Sequence, residues 1–458
     1  MTLPDPFLRE LQSSLPASSF SLEAGVLEGY ARDESSQPAR RPLAVVWPET
    51  TEQVATVVAL CNRYRVPVTA RGGGSSLEGN SIPSPNGIVL SLERMNKVLE
   101  ILPQDFQARV QPGVIYDDLN RQLAPYSLFF APAPSSGNVA TIGGMIGNNA
   151  GGVNALRYGV TRHHVLRLQV VLADGSILWL GTRAMKTSSG YDLVQLLIGS
   201  EGMLGIVTEI VLRLYALPER RFAMALFPSL ELAARAAYEV LNSGIIPGAM
   251  EMMDARSATH VNRYKGWALP EKPALFFEFH GTPAGVQEEV EVARHICKST
   301  GALRYQCADT PELREQFQRG RKEVTNAEKA LYPDHIVIKG DVAVPLSQFV
   351  PTVRYAEGLG EKYGLLTSLF GHAGDGNVHW HTLVPPNDAQ ALEKGEKAAE
   401  ELIRFALSVG GTASAEHGIG LAKRRFLLEE HGPAVEIMKR IKQTLDPNNI
   451  LNPDKMFL

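Results

Sequence analysis

Three of the chain's 11 histidines lie within the eleven residues Gly371–His381, around a Gly-Asp-Gly turn. Glycine reaches positive φ at no steric cost, so Gly374-Asp375-Gly376 is typical of a tight turn. The alternating residues that follow predict a strand, in which His379 and His381 project from one face. The turn lets His372, which precedes it, converge with this face. Neutral imidazole binds zinc and other divalent first-row metals, so the segment predicts a metal site.

A second pair of candidate residues, Glu416 and His417, follows later in the chain. Two or three histidines with one carboxylate would leave one coordination position open, as catalytic metal sites do. The spacing is not a standard zinc signature. Two alternatives without a metal therefore stay open: a polar strand with exposed histidines, and histidines that are paired within a core.

The first half of the chain carries a glycine-rich run, Arg71–Gly79, directly after the predicted short strand Val66–Ala70. Successive backbone N–H groups in such a loop form a concave site for an anion, and small side chains let a phosphate approach. The run matches neither the Rossmann nor the Walker pattern, so neither of those mechanisms is implied. A flexible surface loop is the alternative interpretation.

Two further clusters of small and polar residues indicate a long polar ligand in the same half. One lies at Pro132–Gly152 and the other at Gly199–Ile206. Their hydroxyl and amide side chains offer both donors and acceptors. Leu168–Leu180 predicts two strands around an Asp-Gly turn, and Thr51–Tyr64 predicts a helix. We therefore expect this half to mix helices with short strands.

The composition is that of an ordinary globular protein. A length of 458 residues is consistent with about three domains or with two large ones. The net charge of -4, from 45 basic and 49 acidic residues, gives no sign of nucleic-acid binding. Three distant cysteines, Cys61, Cys297 and Cys307, indicate reduced thiols in a cytosolic protein. We expect no signal peptide, and no apolar run approaches the ~18 residues of a spanning helix.

Taken in order, the three glycine-rich clusters resemble the flavin-binding domain shared by vanillyl-alcohol oxidase and related FAD-linked oxidases. The second half, with the histidine segment, Glu416–Gly420 and the closing Ile450–Phe457, resembles the C-terminal domain of FAD-linked D-2-hydroxy acid dehydrogenases. That family includes glycolate oxidase, D-lactate dehydrogenase and D-2-hydroxyglutarate dehydrogenase. The resemblance runs from roughly Tyr30 to the C-terminus.

The resemblance implies an α+β fold with a two-subdomain FAD-binding domain at residues 1–218. A substrate- and metal-binding α+β domain with an antiparallel sheet would occupy residues 219–458. Some relatives attach FAD through a histidine of the first loop, whereas this loop has serines there and neither histidine nor cysteine, which predicts non-covalent FAD. The family's FAD positions correspond to Arg71, Gly72, Gly73, Gly74, Ser75, Ser76, Gly79, Pro134, Ser135, Thr141, Gly144, Asn148, Gly151, Glu201, Gly202, Ile206 and Asn452.

For the second half, the resemblance assigns a metal site and a base. His372, His379 and Glu416 match the family's metal ligands, with zinc as the expected ion and manganese, iron or cobalt as alternatives. His417 matches the proposed catalytic base. His381 stands where D-2-hydroxyglutarate dehydrogenases often carry asparagine. It is expected at the substrate, while support of a metal ligand or a fourth ligand position stays open.

Arg321, Thr325 and Lys339 match the residues that hold the distal carboxylate in the D-2-hydroxyglutarate enzyme. Arg321 and Thr325 are four residues apart and would share one face of a helix. A guanidinium fork and a lysine point charge suit a second carboxylate, so the expected substrate is a dicarboxylate such as D-2-hydroxyglutarate or D-malate. The alternatives are an acid the size of D-lactate or glycolate, or ordinary solvated charges on a helix.

The expected function is therefore metal-assisted, FAD-dependent oxidation of a D-2-hydroxy acid to the 2-oxo acid. Electrons would pass to an electron-transfer flavoprotein, a quinone, a cytochrome or a partner subunit. We expect a cytoplasmic protein, with peripheral membrane contact and a homodimer both left open. Two alternatives come from other classes: a non-catalytic flavin subunit of an electron-transfer complex, and a non-redox enzyme resembling alkyl-dihydroxyacetonephosphate synthase. The retained histidines and Glu416 favour the dehydrogenase.

Overall fold

A computed structural model describes residues 2–458, which form sixteen α-helices and eighteen β-strands. The helices are α1 (Asp5–Ser14), α2 (Ala24–Gly29), α3 (Thr51–Tyr64), α4 (Tyr116–Leu123), α5 (Ile142–Asn148), α6 (Ala155–Tyr158), α7 (Leu193–Leu197), α8 (Leu230–Asn242), α9 (Ala255–Lys265), α10 (Pro283–Ser299), α11 (Pro311–Arg319), α12 (Val324–Leu331), α13 (Leu346–Tyr363), α14 (Ala389–Ser408), α15 (Arg424–His431) and α16 (Ala434–Leu445). The strands are β1 (Phe20–Ser21), β2 (Val45–Val46), β3 (Val68–Arg71), β4 (Ile88–Ser91), β5 (Val98–Leu102), β6 (Gln107–Val110), β7 (Leu128–Phe129), β8 (Val165–Val171), β9 (Ile177–Gly181), β10 (Ile206–Arg213), β11 (Tyr215–Ala216), β12 (Glu219–Leu226), β13 (Ala249–Met253), β14 (Ala274–Gly281), β15 (Arg304–Cys307), β16 (Ile336–Ala343), β17 (Thr367–His372) and β18 (Asn377–Val384).

The chain divides into two compact units. The first unit runs to Gly151, resumes at Gly159–Leu217 and includes the C-terminal segment Glu416–Leu458. The second unit contains Gly152–Tyr158 and Pro218–Ala415. The predicted domain border between residues 218 and 219 stays a prediction. No helix within residues 2–458 is both long and apolar enough to cross a membrane.

Helix α3 covers the first sheet of the first unit, whose strand order is β1-β2-β4-β3. The helix begins where the Thr50 side chain accepts a hydrogen bond from the Gln53 N–H group. Val54, Val57 and Cys61, at helical spacing, are fully buried against the sheet. The helix predicted from this spacing is therefore confirmed.

The carboxyl end of β3 is the place where the glycine-rich loop begins. β3 runs parallel to β4, and the C-terminal segment lies along the other side of β3. The Val68 N–H group donates to the Ile450 carbonyl at 2.8 Å, and the Asn452 N–H group donates to the Val68 carbonyl at 2.8 Å. The loop that follows Arg71 and the C-terminal segment are thereby held at the same edge of the sheet.

A second sheet of the first unit has five antiparallel strands in the order β5-β6-β10-β8-β9. Strands β8 and β9 pair as a hairpin, with Val171 opposite Ile177 across the Asp-Gly turn. The two strands predicted at Leu168–Leu180 are confirmed. A two-stranded pair of β11 and β7 completes the strands of this unit.

The second unit is built on one antiparallel sheet of seven strands in the order β15-β12-β14-β13-β17-β18-β16. Aromatic side chains such as Phe276, Phe317 and Phe370 pack into a core with Val324. Every residue of β13 and of β18 is buried, so both faces of the sheet are covered there. The expected α+β fold with an antiparallel sheet is confirmed, and four contiguous strands, β13, β17, β18 and β16, carry the candidate chemistry.

Candidate functional site

The glycine loop after β3 packs directly against the second cluster of small residues. A Cβ atom on Gly72 would lie 2.1 Å from Thr141 Oγ1, and one on Gly73 would lie 2.1 Å from the Val139 carbonyl oxygen. The approach of Gly73 to backbone leaves no room for a side chain and so requires glycine, while at Gly72 a side chain would have to displace the Thr141 hydroxyl. The structure therefore brings predicted flavin residues of the first two clusters into one surface.

Arg71, the last residue of β3, offers a cation beside this loop. Its Nη1 atom is buried and has no hydrogen-bond partner among the described residues. Its Cζ atom lies 5.4 Å from the centroid of the Tyr30 ring. Burial lowers the pKa of Arg71, because the charged form is withdrawn from water. A buried guanidinium nitrogen next to glycine backbone fits the pyrophosphate of a bound FAD.

The second cluster begins the short helix α5. The Thr141 hydroxyl caps this helix and accepts a hydrogen bond from the Gly144 N–H group at 3.2 Å. Asn148, at the end of the helix, donates from Nδ2 to the carbonyl oxygen of His417 at 3.2 Å. Predicted flavin residues are therefore tied to the segment that carries the predicted base.

The third cluster is anchored to the same segment through Glu201. The buried Glu201 carboxylate accepts hydrogen bonds from the N–H groups of Ile419 at 2.7 Å and Gly420 at 3.0 Å. Burial raises the pKa of Glu201, and these two donors oppose that rise. Asn452 donates from Nδ2 to the Glu201 carbonyl at 2.7 Å and to the Asn80 carbonyl at 3.1 Å. Both predicted flavin residues therefore have a clear role in holding the loops together.

The remaining predicted flavin residues also belong to the first unit, and their individual contacts with FAD stay predictions. Positive φ angles at three of the glycines explain why glycine stands there. The Ser76 hydroxyl donates to Asn80 Oδ1 within the first loop. These residues are Gly74, Ser75, Ser76, Gly79, Pro134, Ser135, Gly151, Gly202 and Ile206.

His417, the predicted base, has a carboxylate behind its imidazole. Glu78 Oε1 lies 3.4 Å from His417 Nδ1 and 3.1 Å from Lys423 Nζ. Glu78 is buried within the glycine-rich loop. A carboxylate in this place orients an imidazole and stabilises its protonated form. Glu78 is not among the residues predicted from the sequence, although an acidic side chain within a run of small residues was the available signal.

In the second unit, the hairpin of β17 and β18 brings His372 and His379 together. Their ring centroids lie 5.4 Å apart at an interplanar angle of 79°. The connecting turn is tight, since Gly376 has a φ of 78° and a Cβ on Gly371 would lie 2.3 Å from the Asn377 carbonyl oxygen. The predicted convergence of the two imidazoles is confirmed, and both rings are buried.

A buried glutamate on the neighbouring strand β13 joins His372 to Arg321. Glu251 stands opposite His372 in the pairing of β13 with β17. Its Oε1 atom lies 2.6 Å from His372 Nδ1, and its Oε2 atom lies 2.9 Å from Arg321 Nε. The structure thus places a predicted metal ligand and the predicted substrate arginine in one ion-paired group.

The hydrogen bonds of His372 define its tautomer. Arg321 Nη2 lies 3.1 Å from His372 Nε2, and because arginine has no acceptor atom, this nitrogen of His372 accepts. Nδ1 therefore carries the proton and donates to Glu251. Histidine metal ligands typically donate a hydrogen bond from one ring nitrogen to a carboxylate and keep a lone pair on the other nitrogen for the metal. The residues present therefore fit a divalent metal.

His379 on β18 also has a carboxylate beside it, which belongs to Asp341 on the neighbouring strand β16. Asp341 faces it in the pairing of β16 with β18, and Asp341 Oδ1 lies 3.6 Å from His379 Nδ1. The other oxygen of Asp341 accepts the N–H group of Ala415 at 3.0 Å. Glu416, the predicted third ligand, is the next residue in the chain. Asp341 is fully buried, so its hydrogen bond with Ala415 and its 3.6 Å contact with His379 are shielded from water.

His381 is held by a different carboxylate, Glu328 of α12. Glu328 Oε2 lies 2.7 Å from His381 Nδ1, and both side chains are buried. Burial alone raises the pKa of Glu328, but His381, Ser368 and His260 together outweigh burial, and the pKa is lowered. Lys339 stands opposite His381 in the β16–β18 pairing. A substrate contact for either residue stays a prediction.

Arg321 lies in a 3₁₀ turn, Arg321–Glu323, which runs directly into α12, where Thr325 is the second residue. Gly320 and Val324, on either side of this turn, both have right-handed helical backbone angles. The shared helical face of Arg321 and Thr325 and the substrate contact of Thr325 stay predictions.

Comparison with known proteins agrees with this geometry. Residues 42–181 match the FAD binding domain family, and residues 217–456 match the family of FAD linked oxidases, C-terminal domain. The chain is 37% identical over 442 residues to the probable mitochondrial D-lactate dehydrogenase of Danio rerio, over 95% of this chain and 88% of that protein. It is 36% identical over 453 residues to the glycolate oxidase subunit GlcD of Bacillus subtilis, over 98% of this chain and 95% of that protein.

A solved structure shows the same fold at low sequence identity. The 4-ethylphenol oxidase from Gulosibacter chungangensis superposes with a TM-score of 0.80 at 19% identity, over 100% of this chain and 99% of that chain. The predicted flavin-domain type and FAD as cofactor are confirmed. The chain is an FAD-dependent oxidoreductase that acts on CH–OH donors. It belongs to the family of FAD-linked D-2-hydroxy acid dehydrogenases.

Proposed function

We propose that this protein oxidises a short D-2-hydroxy monocarboxylate, of the size of D-lactate or glycolate, to its 2-oxo acid. The observation that carries the proposal is the group of His372, Glu251 and Arg321, which combines a metal-binding tautomer with a cation for the substrate carboxylate. The names of the two relatives, a D-lactate dehydrogenase and a glycolate oxidase subunit, support the same substrate size.

FAD would be held by Arg71 and the glycine backbone of the first loop, and it supplies the acceptor for the C2 hydride. The buried Arg71 guanidinium offers its charge to the pyrophosphate. Ser75 and Ser76 cannot form the covalent link that a histidine would, so the flavin is proposed to be non-covalent. Flavin that remained with acid-precipitated protein at one per chain would contradict this.

The metal would be held by His372, His379 and Glu416, with zinc as the first candidate and manganese, iron or cobalt as alternatives. When bound, such a metal polarises the substrate hydroxyl and stabilises negative charge on its oxygen. The chain's own contribution is the carboxylates, which fix the imidazoles in place. Dialysis against a chelator followed by metal analysis tests this set.

His417 is proposed to accept the hydroxyl proton, since histidine titrates near operating pH. Glu78 orients its imidazole and stabilises the imidazolium that proton transfer produces. Arg321 binds the substrate carboxylate next to C2 or at the distal end.

The number of carboxylates on the substrate depends on how much positive charge the protein offers them. Arg321 is paired with Glu251, so its charge is partly compensated before any substrate binds. A second carboxylate would then depend mainly on Lys339. The two cations Arg321, in a 3₁₀ turn, and Lys339, on β16, nevertheless favour the dicarboxylate that the sequence predicts, so D-2-hydroxyglutarate and D-malate form the second candidate.

Anaerobic mixing of the purified protein with D-lactate, glycolate, D-2-hydroxyglutarate and D-malate separates the candidates, with bleaching of flavin absorbance as the readout. D-lactate or glycolate is expected to bleach the flavin fastest. Faster bleaching by either dicarboxylate would favour the second candidate. No bleaching by any of the four acids would reject the proposal in favour of a flavin subunit without turnover or a non-redox enzyme. The cytoplasmic location and the homodimer stay predictions.

A further inference from the structure

We propose that Glu251 is a shared positioning residue that sets the metal ligand His372 and the substrate cation Arg321 at the same time. The inference rests on the proposed function for the roles of these two partners, but its geometry stands by itself. A single carboxylate uses one oxygen for each partner, at 2.6 Å to His372 Nδ1 and 2.9 Å to Arg321 Nε.

The first consequence of this arrangement is a defined tautomer. A carboxylate accepts hydrogen bonds only, so Nδ1 of His372 must present a proton to it. Nε2 faces the donor Arg321 Nη2 at 3.1 Å and therefore keeps its lone pair. The pairing of β13 with β17 places Glu251 directly opposite His372, so the contact is built into the sheet register. Glu251 thereby makes His372 a better ligand without touching the metal itself.

The second consequence concerns Arg321. Glu251 and Arg321 each expose only 6% of their surface, so their opposite charges pair in a site from which water is largely excluded. The guanidinium is held at two points, because Nε is ion-paired with Glu251 Oε2 at 2.9 Å and Nη2 donates to His372 Nε2 at 3.1 Å. The guanidinium also packs over Phe370, with Cζ 5.3 Å from the ring centroid. A change at Glu251 is therefore expected to disturb both the metal and the substrate carboxylate.

Glu251→Gln is the sharpest substitution, because an amide keeps the size but replaces one acceptor by a donor. If the amide oxygen faces His372, the uncharged NH₂ group lies against the guanidinium and the ion pair with Arg321 is lost. In the reverse orientation the NH₂ group opposes Nδ1–H of His372, so one amide cannot replace the carboxylate for both partners.

The chain offers a matched control in Glu278 on the adjacent strand β14. Glu278 is 7% exposed, lies 2.7 Å from His280 Nε2 and is paired with Arg220 at 3.3 Å. It therefore also combines a histidine and an arginine, here through the single oxygen Oε1, outside the candidate metal centre. Glu278→Gln shows how much Zn²⁺ affinity and KM change when a buried carboxylate of this sheet is lost away from the candidate metal centre.

The experiment measures Zn²⁺ affinity after chelator treatment and the KM for D-lactate, or for whichever of the four acids bleaches the flavin best, in the FAD-bound protein. For Glu251→Gln, Zn²⁺ affinity is expected to fall on the order of 10- to 100-fold and KM to rise about tenfold or more, with FAD retained. For Glu278→Gln, both quantities are expected to stay within about twofold of the wild type. A loss in only one quantity, or equal losses in the two variants, would overturn the shared role.

A second measurement needs no turnover and no variant of Glu251. Nitrogen-15 NMR of histidine-labelled, metal-stripped protein, with the His372 signals assigned through His372→Asn, reads the tautomer directly. Protonation at Nδ1 with a lone pair at Nε2 is expected, and the opposite tautomer would overturn the inference. If no hydroxy acid bleaches the flavin, the proposed function fails, and this measurement still decides the role of Glu251.

Discussion

Arg321 Nη2 donates a hydrogen bond to His372 Nε2 at 3.1 Å, and this is the nitrogen proposed to bind the metal. A guanidinium and a metal ion cannot both use one lone pair. Metal binding must therefore displace this hydrogen bond, while the contact between Arg321 Nε and Glu251 can persist.

The first prediction follows from this competition. Arg321→Met removes both the competitor and a positive charge, so Zn²⁺ affinity is expected to rise severalfold by metal titration. In the same variant kcat/KM for the hydroxy acid should fall on the order of 30- to 150-fold, because the charge-assisted bond to the carboxylate is lost. This fall corresponds to a loss of about 2–3 kcal/mol in transition-state stabilisation. Arg220→Met, which disrupts an arginine–glutamate pair outside the candidate metal centre, is the control. Weaker Zn²⁺ binding by Arg321→Met would refute the competition.

The second prediction concerns the base. His417→Ala should slow flavin reduction by about 10²- to 10⁴-fold in stopped-flow measurements while FAD and metal remain bound. Glu78→Gln should slow it by a smaller factor, because the imidazole remains but its orienting carboxylate is gone. His431→Ala, at the exposed end of α15, should leave the rate unchanged. A normal rate in His417→Ala would place the base elsewhere.

The third prediction tests the flavin loop through Arg71. Arg71→Met should weaken FAD binding by about 1.5–3 kcal/mol, roughly 10- to 150-fold, since it removes a charged donor. The ratio of flavin to protein absorbance after gel filtration measures the effect. Arg94→Met is the control, because Arg94 stacks on Trp47 and lies outside the predicted flavin set. Equal flavin retention in both variants would exclude the proposed role of Arg71.

The fourth prediction uses the close packing of the loop. A methyl group on Gly73 would meet the Val139 carbonyl at 2.1 Å, so Gly73→Ala must displace backbone. A loss of about 1–3 kcal/mol in the free energy of unfolding, together with FAD loss, is expected from thermal unfolding. Gly358→Ala is the control: nothing lies within 4 Å of its Cβ position in α13, and about 0.5–1 kcal/mol of added stability is expected. An unchanged Tm in Gly73→Ala would argue against the packing.

The fifth prediction concerns acid stability through His164. Burial among Phe130 and Tyr215 lowers the pKa of His164 to about 4. The folded state then binds a proton at His164 less readily than the unfolded state does. The free energy of unfolding is therefore not reduced by this group above about pH 6.5, and it declines as the pH falls from about 6.5 towards 4. From pH 7 to pH 5 this group should cost roughly 2 kcal/mol. His164→Gln should flatten that part of the curve of Tm against pH, and an identical slope in both proteins would be the contrary result.

Much of the local structure could be predicted from the sequence. The helix at Thr51–Tyr64, the hairpin around the Asp-Gly turn and the strand after Gly376 follow from periodicity and turn residues, which act between neighbours in the chain. The convergence of His372 and His379 follows from the same local logic, because a tight turn brings its two flanks together. The flavin-binding half was recognisable because its small residues are clustered along the chain.

The carboxylates that define the site could not be predicted in this way. Glu251 lies 121 residues from His372, and it becomes its partner only because β13 is placed next to β17 in the sheet. Glu251 within the apolar strand Ala249–Met253 was the only local sign of this. The same holds for Glu328, which is 53 residues from His381.

The sequence by itself therefore determined which residue types, turns and elements are present, and through them the family and the redox chemistry. Only the tertiary structure decided which carboxylate holds which histidine, which tautomer His372 adopts and how much of the Arg321 charge is left for a substrate. The physical reason is that local patterns act through chain neighbours, whereas these ion pairs depend on strand order and on burial, which lowers the dielectric around them.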